Sequence, residues 1–231
     1  MKSRYIIFLP VLLFGSLFSS CMNYYEYTSV PIAGLTMVNG YSEDQSIIYY
    51  INERAFVPLS YKNISLVSLL TGKRNLVIRR IDSPETIIDT TFSIEDNTFY
   101  TSFTFASTGK PIHFITVDRT VETLSDSAKV RFFNIAAVTG KVSLQIENRT
   151  SRHFFRNRAV ENQVSATANQ NFVLQNSGTV NLSIKDEIGN IIASKESVRL
   201  DTAQYYSIIL LGKEGDPFTP LQIDVIEQVV Y

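Results

Sequence analysis

Asn97-Thr-Phe-Tyr-Thr-Ser-Phe-Thr-Phe105 alternates without a break. In an extended chain Phe99, Phe103 and Phe105 fall on one side, and Thr98, Tyr100, Ser102 and Thr104 on the other. A period of two, built from aromatic and β-branched residues, is the signature of a strand. The same signature recurs on both sides of this segment. Leu35–Val38 runs into Asn39-Gly40, a turn pair. Ser46–Ile51, Ile64–Leu70, Leu76–Ile81, Ile87–Ile94 and Pro111–Val117 read as strands, with Leu76–Ile81 carrying the mixed pattern of a strand near an edge. Ala128–Asn134, Val142–Glu147, Phe172–Leu174, Val180–Ile184, Ile191–Ala193, Ser197–Leu200, Tyr205–Leu211 and Leu221–Val230 follow. No stretch shows a sustained helical period with caps; residues 159–170 read as loop plus strand. The 15 Phe and 12 Tyr, with no Trp, fit strand-rich structure.

The strand series repeats. Asn75-Leu-Val-Ile-Arg79 matches Asn181-Leu-Ser-Ile-Lys185, Ile94-Glu95 matches Leu200-Asp201, and Phe99-Tyr-Thr101 matches Tyr205-Tyr-Ser207, all at a spacing of 106 residues. Lys110-Pro-Ile112 and Thr219-Pro-Leu221 follow at 109, and Val38-Asn39 pairs with Phe133-Asn134 at 95. The common order argues for duplication, with about eleven extra residues in the second copy. Each copy has the size and strand density of an antiparallel sandwich with one face of each sheet in a core and one in water. The expected fold is therefore all-β, two tandem immunoglobulin-like antiparallel β-sandwich modules over residues 32–124 and 125–231, joined by Glu122–Asp126.

The chain opens MKSRYIIFLPVLLFGSLFSSC. Lys2 and Arg4 precede an apolar run from Tyr5 to Phe18, and Ser19-Ser20 leads into Cys21, the sole cysteine. A positive start, an apolar stretch and small residues make a secretory signal peptide, expected over residues 1–20. It resembles a bacterial lipoprotein signal, in which Phe18-Ser-Ser-Cys21 is the lipobox and Cys21 carries the acyl chains. Acylation also accounts for a lone cysteine in an oxidising compartment. Residues 21–31 then form the lipidated end and a tether. Met22-Asn23 is not an aspartate-type inner-membrane retention signal, which points to the outer membrane, on its periplasmic or its cell-surface face. Losing Lys2 and Arg4 leaves the mature chain mildly acidic, and export and charge together argue against nucleic acid as a partner.

Ala128-Lys-Val-Arg-Phe-Phe-Asn134, Val142-Ser-Leu-Gln-Ile-Glu147 and the aromatic Gln204–Gly212 strand carry a resemblance to the domain-of-unknown-function 4397 family. The match covers most of 128–212; in the first copy only Gly34–Asn39 and Tyr100 echo it. The resemblance implies exported immunoglobulin-like sandwiches of Bacteroidetes-type bacteria, often on lipoproteins and sometimes adhesive, with no catalytic residues to carry over.

Enzyme chemistry finds little support. A nucleophile needs a base in reach and a group that orients it, and the chain has only His113 and His153. Neither zinc spacing nor a phosphate loop is present, and Asp186-Glu-Ile-Gly-Asn190 is short of a calcium loop. No cofactor or metal is expected. The local anomaly is Arg149–Arg158, where Arg149, Arg152, Arg156 and Arg158 surround His153, Phe154 and Phe155. Arginine offers a fork to anions, and an exposed ring can stack on a sugar or anchor a partner. These seven residues are the candidate binding site if the stretch is a loop; the alternative is a strand–turn–strand whose phenylalanines enter the core while the arginines are solvated. The expected function is a non-enzymatic envelope lipoprotein that binds an envelope protein or glycan. An assembly role through an edge strand, with Leu221–Tyr231 as the candidate, is the alternative.

Overall fold

The computed structural model of the chain describes residues 32–43, 46–83, 85–121, 126–149 and 151–228. The signal segment, Cys21 and most of the expected linker lie outside the described residues. Pro31–Tyr231 form one compact unit. The first copy contributes β1 (Ile32–Gly40), β2 (Ser46–Ile51), β3 (Arg54–Ala55), β4 (Leu59–Ser60), β5 (Ile64–Leu70), β6 (Gly72–Arg80), β7 (Thr86–Ile94), β8 (Phe99–Ser107) and β9 (Lys110–Val117). The second contributes β10 (Ala128–Asn134), β11 (Val142–Glu147), β12 (Arg152–Arg158), α1 (Gln163–Asn169), β13 (Val173–Gln175), β14 (Gly178–Lys185), β15 (Ile191–Leu200), β16 (Tyr205–Leu211) and β17 (Gln222–Gln228).

Each copy is a two-sheet sandwich, and the strand orders are the same. Sheet β5-β1-β8-β9 corresponds to β13-β10-β16-β17, and β3-β2-β6-β7 to β12-β11-β14-β15. The pairing is antiparallel except for β1 with β8 and β10 with β16, which run parallel. Register confirms the duplication residue by residue. Thr36 opposite Thr101 becomes Arg131 opposite Ser207, and Tyr50 opposite Val77 becomes Gln145 opposite Ser183. The final strands align one residue away from the 109 spacing read in the sequence, since Thr116 opposite Thr101 becomes Ile226 opposite Ser207. Strand β6 lies next to the edge strand β7, in keeping with its mixed pattern.

Repeated side chains do repeated work. The Asn39 Oδ1 accepts from Tyr41 N–H and its Nδ2 donates to Leu59 O; Asn134 does the same with Ala136 N–H and Arg158 O. The Tyr100 hydroxyl accepts from Glu95 N–H at 3.0 Å, and the Tyr206 hydroxyl from Asp201 N–H at 3.0 Å. Both rings lie in the core of their own sandwich. They are the tyrosine-corner device, a ring in the core with its hydroxyl returned to backbone a few residues upstream.

The expectation that one face of every sheet meets water fails for two of the four sheets. Strands β8, β10 and β16 are buried along almost their whole length. One face of β8 carries Tyr100, Ser102, Thr104 and Ala106 into its own sandwich. The other joins Val38, Phe103, Phe105 and Phe114 to Phe133, Ile135, Ile209, Leu211 and Ile226 of the second copy in a third apolar core. The copies therefore stack through equivalent faces, like an isologous dimer joined into one chain. Phe133 sits between Phe103 at 5.3 Å and Phe114 at 5.4 Å between ring centroids.

Residues 163–169 form a helix where loop and strand were expected. The seven residues carry no apolar stripe; only Ala166 is buried. A capping box supplies the start instead: Asn162 accepts from Val164 and Ser165 N–H, and Ser165 Oγ accepts from Asn162 N–H. The helix belongs to the added residues of the second copy, and it covers the open edge of β9 in the first. Gln163 donates to Ile115 O and accepts from Ile115 N–H, while Gln170 accepts from Val117 N–H. Two amide side chains thus stand where another strand would pair.

Phenylalanine in place of Tyr100 or Tyr206 leaves the ring and removes the hydroxyl acceptor. Each change should lower stability by about 1 kcal/mol, the net worth of a hydrogen bond. Urea unfolding should give near-equal losses; a large loss at one site and none at the other would contradict the structural equivalence.

Candidate functional site

Of the seven arginine-segment residues, Arg149 lies in the bend after β11 and the other six lie on a strand. Arg152–Arg158 is edge strand β12, paired with β11. Alternation splits the residues. Phe155 enters the core and packs on Phe132 at 6.2 Å, with His153 edge-on to it at 5.1 Å. Burial lowers the His153 pKa. Arg152, Phe154 and Arg156 lie on the opposite face, and the Arg156 guanidinium stacks on the Phe154 ring at 4.4 Å. Arg158 turns back to the inner side, over Phe155 at 5.9 Å. The segment therefore brings Arg149, Arg152, Phe154 and Arg156 to the surface and withdraws His153, Phe155 and Arg158 from it.

That surface is a polar ladder. Arg152 pairs with Glu147, Gln145 Nε2 donates to the second Glu147 oxygen at 2.7 Å, and Lys185 Nζ donates to Gln145 Oε1 at 3.3 Å. The Arg152 bond holds the Glu147 carboxyl below the ordinary range. Beside the ladder lies an open groove of about 530 Å³ lined by Glu147, Asn148, Arg149, Thr179, Asn181 and Ser197. A bulge shapes its far wall: β15 gains one residue between the partners of Val180 and Leu182. Ser197 takes φ +56 there and donates its N–H to Asn181 Oδ1. Bulges re-aim side chains in this way beside binding sites.

The first copy has a smaller groove at the same place in the repeat. It is lined by Tyr50, Glu53, Asn75, Val77 and Arg79, with Arg79 stacked on Tyr50 at 5.1 Å. Asn75 and Glu53 are the register equivalents of Asn181 and Asn148. The Asn75/Asn181 match was visible in the sequence, but only pairing shows that both face outward.

Sequence reasoning missed the polar group between the copies. Arg131 is fully buried, and its Nη2 meets Asp118 Oδ1 at 2.6 Å. Its Nε donates to Ser207 Oγ at 2.7 Å and Nη1 to Gln170 O at 3.2 Å. Phe172 at 4.4 Å and Phe133 at 5.2 Å stack on the guanidinium. Thr101 Oγ1 donates to Asp118 Oδ2, and Gln228 Nε2 to Ser207 Oγ. Desolvation lowers the Arg131 pKa, partly offset by Asp118. The charges are satisfied from every side, so this is an interlocking contact with no open valence for a ligand.

Histidine 113 pairs with Ser102, Nε2 to Oγ at 2.9 Å. The spacing suits a nucleophile and base, but Ser102 is fully buried, so no substrate reaches it. Among the described residues no group of three or more His, Cys, Asp or Glu could hold a metal ion.

Two outcomes follow from these buried groups. Arg131→Met strands the Asp118 carboxylate, and should cost about 3–5 kcal/mol, as breaking buried pairs does. Adding Asp118→Leu should recover part of that loss in chemical unfolding; a double variant weaker than either single one would contradict the pairing. Burial pushes His113 down to about 4 from its ordinary 6.5. Its folded pKa is depressed, so the unfolded chain takes up the proton first as pH falls. Stability is lost between about pH 6.5 and 4, by up to about 3 kcal/mol. His113→Gln should flatten that stretch of the stability–pH curve relative to the wild type; an unchanged slope would contradict a buried neutral imidazole.

Residues 33–145 match the family model described as "Domain of unknown function (DUF4397)". The matched stretch is the first copy and the opening strands of the second, whereas the sequence resemblance was drawn over 128–212; the two overlap at β10 and β11. No curated protein matches the chain. Among solved structures, the tip fimbrial protein Mfa3 of Porphyromonas gingivalis aligns at 10% identity and TM-score 0.26, covering 86% of this chain and 99% of that one. A family CBM26 module of Eubacterium rectale Amy13K, solved with maltoheptaose, aligns at 8% identity and TM-score 0.26, covering 86% and 97%. A DUF3823 family protein of Bacteroides ovatus aligns at 11% identity and TM-score 0.21, covering 74% and 99%. Over residues 33–145, just under half of the chain, the protein is similar to the DUF4397 family.

Proposed function

We propose that the protein is a non-enzymatic cell-envelope lipoprotein that binds a glycan or another envelope protein. Its anchor is the acylated Cys21 in the outer membrane, and its partners include membrane lipid but not nucleic acid. Binding uses the outer face of β11, β12 and β14. The observation that carries this reading is the groove bounded by Glu147, Arg149, Thr179, Asn181 and Ser197, on the outer face of a sheet whose edge strand β12 carries the Arg156–Phe154 stack. Polar donors and acceptors sharing a sheet face with a partly exposed ring suit a sugar or a polar protein surface, and arginine adds a fork for carboxylate or sulfate. The groove is shallow and open, which suits binding better than turnover. A second reading, an assembly role through an edge strand, draws support from the exposed apolar strand β5.

A glycan array and an envelope-protein pull-down test the first reading. The comparison is wild type against Arg149→Ala/Arg152→Ala/Arg156→Ala, which leaves the inward Arg158 in place. A hit weakened tenfold or more in the folded variant is the expected result. A hit indifferent to these changes would remove the face from consideration.

A further inference from the structure

The sheet edges of this protein are unequally defended. Strand β9 is covered by Gln163 and Gln170. Edge strand β12 carries Arg152, Arg156 and Arg158, β15 carries Lys195, Glu196 and Arg199, β17 carries Asp224 and Glu227, and β13 is three residues long. Charge, cover and shortness are the usual means of keeping an edge from pairing. Strand β5 has none of them. It reads Ile64-Ser-Leu-Val-Ser-Leu-Leu70, seven residues without charge, proline or glycine. Ile64, Leu66 and Leu70 are 48%, 49% and 56% exposed, and Ile32 opposite Leu70 is 54% exposed.

The hydrogen-bond phase shows which backbone groups are open. Asn39 N–H donates to Asn63 O, so odd-numbered residues of this strand face β1. The N–H and C=O groups of Ile64, Leu66 and Ser68 point to the open edge. Leu70 O on the same side is taken by the Arg74 guanidinium, which marks the end of the available ladder.

We propose that β5 pairs antiparallel with β5 of a second copy of this chain, about a two-fold axis at Val67. This gives a chemical identity to the edge-strand reading above and stands independently of the glycan-binding one. The sequence is complementary to its own reverse: Ile64 faces Leu70, Ser65 faces Leu69, Leu66 faces Ser68, and Val67 faces Val67. Val67 N–H points inward, so the axis falls on a non-hydrogen-bonded pair. Leu66 and Ser68 of each copy then exchange bonds on either side of it. No charge faces a like charge, and the exposed Ile64, Leu66 and Leu70 meet their counterparts on one face. The two four-stranded sheets become one of eight.

Sedimentation velocity of the full chain in detergent tests this. The panel holds wild type, Leu66→Lys and Ser68→Pro. The proline removes an N–H that points to the open edge and leaves the β1 ladder intact. The dimer should be present in wild type and lost, by tenfold or more in Kd, in both variants, with unchanged circular dichroism. Amide exchange covers a variant that fails to fold, since wild-type Leu66 and Ser68 should gain protection as concentration rises. A monomer at 100 µM, a dimer that persists in both folded variants, or concentration-independent exchange at Leu66 and Ser68 would overturn the proposal.

Discussion

A guanidinium taken out of water must find its partners inside the protein. Arg131 finds them in two copies of one repeat: Asp118 from the first, Ser207 and Gln170 from the second, with Phe133 and Phe172 stacked on its planes. Such a group is weak evidence of net stability, because desolvation offsets most of the attraction. Its effect is geometric. Only one placement of the copies satisfies it, and the phenylalanines of the third core then fill the remaining space. One arrangement follows in which both outermost sheets turn their outer faces, and their grooves, to solvent.

The duplication explains how such an interface arises. Thr101 with Asp118 and Ser207 with Gln228 occupy equivalent positions and make equivalent internal bonds. Thr36 in the first copy stands where Arg131 stands in the second. Repeated faces met each other, and divergence at three positions turned a symmetric contact into a charged, directional one. The added residues of the second copy reinforce it, since α1 reaches across to the edge of β9.

Much of this was legible in the sequence, and the gaps have physical reasons. Alternation located nearly every strand, and the 95 and 106 spacings are the registers observed. The double burial of β8 was written in Phe99, Phe103 and Phe105 opposite Tyr100, but an alternating aromatic face reads as half-wet until the second copy is seen to cover it. Arg131 sits inside the motif that carried the family resemblance. A charge on a strand reads as solvated, and its partner Asp118 lies beyond the last strand of the other copy. The helix hid because seven residues held by Asn162 and Ser165 need no apolar stripe. At the candidate site, residue types drew attention to the right segment, and strand phase, absent from composition, decided which of its rings and arginines reach the surface.

The central claim is that the third core and the Arg131–Asp118 contact make the two copies one cooperative body. Differential scanning calorimetry measures this directly. One transition, with calorimetric and van't Hoff enthalpies equal, is the predicted result. Two resolved transitions, or a calorimetric enthalpy well above the van't Hoff value, would mean that the copies unfold independently and would contradict it.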